Sequence, residues 1–240
     1  MLPADVPLHL TARRGDVAER CLCPGDPDRA RRAADELLDG ARTVGRARGL
    51  AGFTGRYRGV PVTIQTTGMG GGSTAIVVSE LLELGADALV RAGSCGGIQP
   101  DLRTGSMVVA DAAAAADGAA LALAGPGPHR ADPGLTRALA RAAERSGRPV
   151  TTGAIVSTDL FYDPEPGRPD RWRRAGRLAV EMEAATIFAL AERAGASAGC
   201  ALGVVNRLDD PAGGWLTGAA SRELGLAVCR VGLEALVGHG

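Results

Sequence analysis

The amino-acid sequence predicts an α/β fold, with helices packed on a parallel or mixed central sheet. Short runs of strand-forming residues alternate along the chain with longer patterns of Ala, Leu and Arg at helical spacing. Glycine-rich turns follow three of the candidate strands, as they do where sheets of this class bind ligands. The chain has 240 residues, of which 45% are hydrophobic, and no shift in composition marks a boundary. Residues 1–240 are therefore predicted to form a single domain.

The individual elements follow from these local patterns. Strands are predicted at 19–23, 87–92, 105–110, 149–156 and 198–206, with a hairpin at 56–66 around Arg58-Gly59. Helices are predicted at 27–39, 73–85, 133–147, 181–195 and 217–237. Residues 111–128 are rich in alanine but are interrupted by glycines, which predicts a loose surface connection. A long polar segment, 157–177, interrupts the alternation of strands and helices.

Charge and composition exclude several classes of function. The 27 basic and 27 acidic residues give a formal net charge of zero, so no long-range attraction favours nucleic acid or a membrane surface. All basic residues are arginine, which excludes a Schiff-base lysine and a Walker lysine. No targeting segment and no apolar run of membrane-spanning length is recognisable. We expect neither a nucleic-acid partner nor a membrane partner.

The cysteines indicate a reducing, cytoplasmic environment. They are odd in number and lie mostly within apolar stretches, where a reduced, packed thiol is the usual state, at positions 21, 23, 95, 200 and 229. Cys21 and Cys23 are one residue apart on a predicted strand, so their side chains point to opposite faces and cannot form a metal half-site. With three histidines in the chain, no metal site is predicted.

Two arginines beside the glycine-rich turns indicate a local anion site. Arg29 follows the turn that contains Gly25, and Arg91 precedes the turn at 93–97, while a third turn lies at 68–72. Guanidinium groups and bare backbone N–H groups bind phosphate oxygens. Arg29 is equally consistent with an exposed helix arginine, whereas Arg91 ends an apolar strand, where an unpaired charge is costly. Ser94 either caps a helix or donates to the same anion.

A second group of residues opens the predicted helix at 181–195. Glu181 and Glu183 are favourable there simply because a helix N-terminus carries partial positive charge. Carboxylates beside the thioether of Met182 also form a good floor for a sugar, because they accept hydrogen bonds from vicinal hydroxyls. Phe161, next to Tyr162, is consistent with stacking on a base or with packing in the core.

Taken together, the motifs resemble a known family. "CPGDPDRA", "RGLAGFTGRYRGVPVTI", "TTGMGGGSTAI", "VRAGSCGGIQPDLRTGSMVV", "STDLFY" and "AVEMEAATIFALA" are similar, in order and spacing, to the uridine and hexameric purine nucleoside phosphorylases, from His9 to about Arg207. The resemblance implies a three-layer α/β/α subunit around a mixed, partly barrel-like sheet. It also implies phosphorolysis of a nucleoside to free base and pentose 1-phosphate. Orthophosphate is then the co-substrate, no other cofactor is needed, and the subunits form a hexamer built as a trimer of dimers.

The resemblance also implies roles for individual residues. The phosphate contacts fall on Gly25, Arg29, Arg91 and Ser94, together with Arg48, which a neighbouring subunit lends to the site. The ribose contacts fall on Met182 and Glu183, together with His9 of the neighbouring subunit. Phe161 matches the residue that stacks on the base, and Glu181 lies against base and sugar. The glutamate that ligates a monovalent cation in some relatives is replaced by Gly49, so no such ion is predicted.

Base recognition separates the branches of this family. Asn206, in "VVNR", occupies the place of the aspartate that protonates the base in the purine branch, and an amide cannot supply that proton. Arg168 resembles the arginine that reads uracil in the uridine branch, although Pro166 replaces the accompanying glutamine. Arg207 is expected to support Arg168 through water. Arg91, Arg168 and Arg207 are therefore the expected catalytic residues.

These features predict a pyrimidine nucleoside phosphorylase, similar to the uridine branch. A purine phosphorylase and a phosphorylase of a modified nucleoside remain as alternatives, and so does a catalytically silent nucleoside-binding relative. A hydrolytic nucleosidase is disfavoured because Arg29, Arg48 and Arg91 would then have no anion to bind.

Overall fold

The computed structural model describes residues 7–239, which form a ten-stranded sheet surrounded by helices. The strands are β1 (Arg20–Cys23), β2 (Asp39–Gly45), β3 (Gly52–Tyr57), β4 (Val60–Gln65), β5 (Ala88–Gly97), β6 (Met107–Ala116), β7 (His129–Arg130), β8 (Val150–Thr158), β9 (Ala179–Glu181) and β10 (Ser197–Arg207). The helices are α1 (Pro27–Leu37), α2 (Gly71–Glu83), α3 (Gly118–Ala124), α4 (Pro133–Arg145), α5 (Arg168–Arg174), α6 (Ala184–Ala194) and α7 (Gly218–Gly238). Short 3₁₀ turns occupy Ala47–Gly49 and Pro211–Gly213.

Part of the sheet closes on itself. Strands β10, β6, β8, β9 and β5 pair in that order, and β5 pairs with β10 to complete the ring. Strands β1, β4, β3 and β2 extend the sheet outward from β5. Parallel pairs such as β5 with β10 and antiparallel pairs such as β6 with β10 occur side by side. The predicted mixed, partly barrel-like sheet is confirmed.

Helices cover the sheet on both sides, which gives the predicted three layers. Helices α1, α4 and α7 bury small and branched side chains such as Ala33, Leu139 and Val228 in one hydrophobic cluster. Helices α2, α3 and α6 contribute to a second cluster, which includes Val77 and Ile187. Burial of apolar surface on both faces is the main force that holds helices on a sheet of this kind.

The alanine-rich segment is the clearest difference from the sequence-based prediction. Residues 111–116 continue β6 and pair with β8 on one side and with β7 on the other, instead of forming a loose connection. Alanine favours a helix by intrinsic propensity, but pairing with neighbouring strands overrides that preference. The following Asp117 accepts a hydrogen bond from the Ala120 N–H and thereby caps α3.

Other elements of the structure are longer than predicted or were not predicted. Strand β5 runs through to Gly97, so the glycines at 93–97 belong to the strand instead of forming a turn after it. Helix α5 lies within the polar segment 157–177, and the edge strand β2 was not predicted. Within residues 7–239, no helix combines the length and the apolar character needed to cross a membrane.

The five cysteines are buried and free, in agreement with their apolar surroundings in the sequence. Burial raises the pKa of the Cys23 thiol and of the Cys229 thiol to about 12. Because the thiolate is the reactive form, these side chains serve as packing groups of the core.

Candidate functional site

A cavity of about 540 Å³ opens where several strands of the ring end. Residues of β5, β8, β9 and β10 line it, together with the turn that follows β1. The predicted site residues that line this cavity are Gly25, Arg29, Arg91, Ser94, Phe161, Glu181, Met182, Glu183 and Asn206. The fold therefore brings together residues that are up to 181 positions apart in the sequence.

One end of the cavity carries two arginines and depends on close backbone packing. Arg29, in the first turn of α1, donates to the carbonyl oxygen of Ala92 at 3.3 Å. A Cβ atom on Gly25 would lie 2.9 Å from the carbonyl oxygen of Gly68, so only glycine lets these two loops approach. A Cβ on Gly93 would lie 2.6 Å from Nη2 of Arg91, which shows how closely that side chain folds over the strand.

Arg91 is the electrostatic centre of the site. Only 4% of the residue is exposed, and Nε donates to Oε2 of Glu181 at 2.6 Å while Nη2 contacts Oε2 of Glu183. Burial disfavours the charged guanidinium, but the carboxylates of Glu183 and Glu181 outweigh it and raise the pKa of Arg91 above its usual value. The arginine therefore remains charged and contacts two carboxyl groups.

Glu181 holds this arrangement in place. Its carboxylate accepts from Arg91, from the Ser157 hydroxyl, and from the backbone N–H groups of Glu183 and Ala184 at 2.9 and 3.0 Å. The side chain thus caps the start of α6 and fixes the orientation of Arg91. With its oxygens committed to these partners, Glu181 acts here as a positioning residue, and its predicted contact with the base remains a prediction.

Glu183 has fewer partners and lies at the cavity wall. Its Oε1 accepts from the Gly70 N–H at 2.6 Å, and its Oε2 contacts Arg91. Burial, the largest effect, raises the pKa of Glu183, and the charge of Glu181 adds to the rise, while Arg91 and the Gly70 N–H act in the opposite direction. A carboxylate next to Met182 in a cavity is suited to accept hydrogen bonds from sugar hydroxyls.

Two residues that were predicted to act in a neighbouring subunit lie outside the cavity of their own chain. The Nδ1 of His9 lies 2.7 Å from Oε1 of Glu80, a buried residue on α2 that also accepts from the backbone of residues 9 and 10. Arg48 is exposed on the 3₁₀ turn Ala47–Gly49 and adopts a left-handed conformation with φ of 55°. Both residues are accessible for contact with another subunit.

The role of Arg168 in reading the base stays a prediction, because in this structure its guanidinium pairs with neighbouring carboxylates. Arg168 begins α5, where its guanidinium lies 3.0 Å from Asp163 and 3.0 Å from Glu165. Hydrogen bonds from Arg171 and Arg168 lower the pKa of Glu165 to about 2. The guanidinium of Arg168 is therefore held by adjacent carboxylates and does not line the cavity.

Arg207 also points away from the predicted site. Its guanidinium forms a bidentate ion pair with Asp209: Nε donates to Oδ1 at 3.1 Å and Nη2 donates to Oδ2 at 2.7 Å. It lines a separate cavity of about 170 Å³ together with Arg103 and Asp210. That Arg207 supports base binding stays a prediction, and in this structure Asp209 holds its guanidinium at the smaller cavity.

The structure adds aromatic wall residues that the sequence analysis did not identify. Trp172 on α5 and Trp215 in the segment before α7 line the same cavity as Phe161. The available signal was their rarity, because the chain has only two tryptophans and both lie at this cavity. An aromatic and apolar wall opposite a charged end suits a planar, partly apolar ligand.

Comparison with known proteins gives the family. The model of the Phosphorylase superfamily matches residues 19–236. The chain belongs to this superfamily. The resemblance of its motifs to nucleoside phosphorylases is thereby confirmed at the level of the family.

Similar members of the superfamily are named for different activities. A DeoD-type purine nucleoside phosphorylase of Jannaschia sp. is 42% identical over 84% of this chain and 87% of its own length. A guanosine phosphorylase of Halorubrum lacusprofundi is 41% identical over 80% of this chain and 79% of its own length. A uridine phosphorylase of Thermococcus kodakarensis is 38% identical over 85% of this chain and 79% of its own length. Purine and pyrimidine enzymes are thus about equally similar, and the preference for the uridine branch is not confirmed.

Proposed function

We propose that this protein catalyses the phosphorolysis of a purine nucleoside to free base and pentose 1-phosphate. The observation that carries the proposal is the arrangement of Arg91 and Glu183, a buried cation and a carboxylate in contact at one end of a single cavity. Phosphate is bound by Arg29, Arg91 and Ser94. The ribose lies on Met182, and its hydroxyls donate to Glu183.

The reaction needs positioning more than a protein nucleophile. Cleavage of the glycosidic bond develops positive charge on the sugar, and a phosphate held against C1′ stabilises that charge and then attacks the same carbon. The cluster of Glu181 and Glu183 lies on the same side and favours the developing cation. The bond from C1′ to the base nitrogen breaks as the bond from C1′ to the phosphate oxygen forms, so the base departs with the electron pair and takes a proton from water to give the free base.

The identities to purine-acting relatives favour a purine, and the base end of the cavity is compatible with one. Asn206 lines this end, and its amide N–H₂ donates to N7 of a purine and so stabilises the departing base without transferring a proton. Arg168 and Arg207, the expected readers of a pyrimidine, are bound to carboxylates elsewhere. The purine alternative thus replaces the pyrimidine expectation as the main proposal.

Uridine remains the second candidate, because of the 38% identical uridine phosphorylase and because the pair Asn206-Arg207 matches that branch.

The test of the proposed function is release of free base from inosine, guanosine, adenosine and uridine, with and without orthophosphate. We expect phosphate-dependent release with a larger kcat/KM for the purine nucleosides. A larger kcat/KM for uridine would favour the second candidate, and release without phosphate would contradict phosphorolysis.

We further propose that the active site is completed by a second subunit, which contributes His9 and Arg48, within a hexamer built from dimers. The exposure of Arg48 and the partial exposure of His9, both outside the cavity of their own chain, support this assembly. A phosphate that carries two negative charges is better balanced by Arg29, Arg91 and a third arginine than by two, since Arg91 already faces two carboxylates.

Coexpression of two impaired chains tests this shared site. Arg48→Ala damages the site of the neighbouring subunit, and Glu183→Gln damages the site of its own subunit. In a mixed dimer, the site with intact Glu183 receives intact Arg48 from its partner, so we expect mixed assemblies to recover activity well above either variant alone. Homogeneous assemblies of each variant, mixed after purification, serve as the control. Coexpressed chains that are no more active than this control would place Arg48 in its own site.

A further inference from the structure

We propose that Trp215 forms, with Phe161, an aromatic clamp for the nucleobase, and that this clamp favours a two-ring base. The inference rests on the proposed function and adds to it a residue that determines specificity. The first observation is the distribution of aromatic residues. The chain has three Phe, two Tyr and two Trp, and Phe53, Tyr57 and Phe188 are buried in the core. Phe161 and Trp215, by contrast, line the cavity and are 59% and 53% exposed.

The backbone places Trp215 at the base end of the cavity. The N–H of Leu216 donates to the carbonyl oxygen of Val205 at 2.7 Å, so the tryptophan is anchored beside the last residues of β10, next to Asn206. Asp210 accepts from the N–H of Gly213 at 3.0 Å and stabilises the 3₁₀ turn that precedes Trp215. The indole is therefore held by the same strand end that carries the amide proposed to contact the base.

The rings of Phe161 and Trp215 lie close together and are tilted relative to each other. The ring centroids of Phe161 and Trp215 are 5.8 Å apart with an interplanar angle of 37°. A planar base between two rings needs about 7 Å, or two contacts of about 3.5 Å each. To admit a base, the rings thus have to separate and to turn toward a parallel arrangement, and both lie on loops outside the sheet. Tyr162, itself exposed, lies edge-on to Phe161 with ring centroids 5.0 Å apart.

The size of the indole gives a reason for selectivity. Two aromatic surfaces that cover both faces of a base gain in proportion to the overlapping area, and a purine offers two rings where a pyrimidine offers one. Phe161 alone stacks on one face of either base. Trp215 adds the second face, and we expect its contribution to be larger for inosine than for uridine.

Tryptophan emission provides a direct test. The variant Trp172→Phe leaves Trp215 as the single tryptophan, so its emission reports on the clamp alone. Titration with inosine in the absence of phosphate is expected to quench this emission to saturation, with a midpoint equal to the Kd from calorimetry on the same variant. Ribose alone, which lacks a base, is the matched control and is expected to leave the emission unchanged.

Substitution of the ring itself tests selectivity. Trp215→Ala is expected to weaken inosine binding about 10- to 100-fold and uridine binding less, while Trp215→Phe restores most of the loss. An unchanged melting temperature is expected, because the side chain is half exposed. Normal inosine binding with constant emission, or equal losses for inosine and uridine, would overturn the clamp alone. If calorimetry finds no binding of either nucleoside to the unsubstituted protein, the proposed function fails and the clamp fails with it.

Discussion

Replacing Arg91 by alanine is expected to lower the free energy of unfolding by about 3–5 kcal/mol and to raise the KM for phosphate about 100-fold. The first effect arises because Glu181 and Glu183 would be left as buried carboxylates without their guanidinium partner. The second arises because a charged donor is lost from a desolvated phosphate site, and charge-assisted hydrogen bonds contribute about 1.5–3 kcal/mol each. Urea unfolding and initial rates at varied phosphate concentration measure the two effects separately.

The stability deficit of Arg91→Ala should depend on pH with a defined sign. Burial already raises the pKa of Glu183 above 4.5, and removal of Arg91 removes the main group that opposes this rise. The folded state then binds a proton more tightly than the unfolded state, so stability falls as pH rises through the interval above 4.5. We therefore expect the deficit relative to the unsubstituted protein to be small near that pH and larger at neutral pH.

Two further variants make the result for Arg91 decisive. Arg31→Ala removes an exposed arginine of α1 that pairs with Asp28, and no change in stability or in phosphate dependence is expected. Arg91→Lys keeps a positive charge between the carboxylates but loses the planar fork, so it should retain much of the stability while still impairing phosphate use. If Arg91→Ala and Arg91→Lys both saturate with phosphate as the unsubstituted protein does, then Arg91 does not bind the anion.

The sequence was sufficient for features that depend on local pattern. The strand and turn around Gly25, the first turn of α1 with Arg29, and the start of α6 after Glu183 lie close to where periodicity and turn residues predicted them. The Arg58-Gly59 hairpin was also predicted, because a turn with positive φ at both residues has a strong sequence signal. These features are encoded within a few residues of where they appear.

Features that depend on distant partners could not be predicted in the same way. Arg91 and Glu181 are 90 positions apart, and the local sequence around neither residue predicts their ion pair. Arg168 shows that local partners matter too, because its motif predicts base recognition while Asp163 and Glu165, a few residues away, hold its guanidinium in this structure. In the alanine run that forms β6, tertiary pairing overrides local propensity. The decisive interactions in each case are set by the folded neighbours of a residue.

The contact between Arg91 and Glu183 links both proposed substrates through one pair of side chains. The group proposed to bind phosphate is also a partner of the group proposed to bind ribose. A phosphate that attracts the Arg91 guanidinium would weaken the contact between Arg91 and Glu183. The carboxylate of Glu183 could then accept hydrogen bonds from the ribose hydroxyls more readily. A variant at Glu183 therefore affects both substrates, and its effect on ribose has to be separated by varying the sugar as well as the protein.

Replacing Glu183 by glutamine is expected to reduce kcat/KM for inosine by about 100-fold. The ribose hydroxyls lose a charged acceptor, and hydrogen bonds to charged groups contribute about 1.5–3 kcal/mol each. The side-chain NH₂ of the glutamine would also face Arg91 or the Gly70 N–H. Both of these groups are donors, so one hydrogen bond of Glu183 is lost. A cycle with 2′,3′-dideoxyinosine isolates the sugar contribution, because the dideoxy sugar lacks the hydroxyls that Glu183 is proposed to bind, while the disturbance of Arg91 is common to both substrates.

The expected outcome is that the penalty for the dideoxy sugar is large in the unsubstituted protein and small in Glu183→Gln. Glu192→Gln, at an exposed position of the same helix α6, is the matched control and should retain the full penalty. The comparison uses ratios of kcat/KM within each protein, so a general loss of activity from a disturbed Arg91 cancels. An equal dideoxy penalty in Glu183→Gln and in the unsubstituted protein would show that the sugar hydroxyls bind elsewhere, and the orientation proposed for the nucleoside in this cavity would have to be reversed.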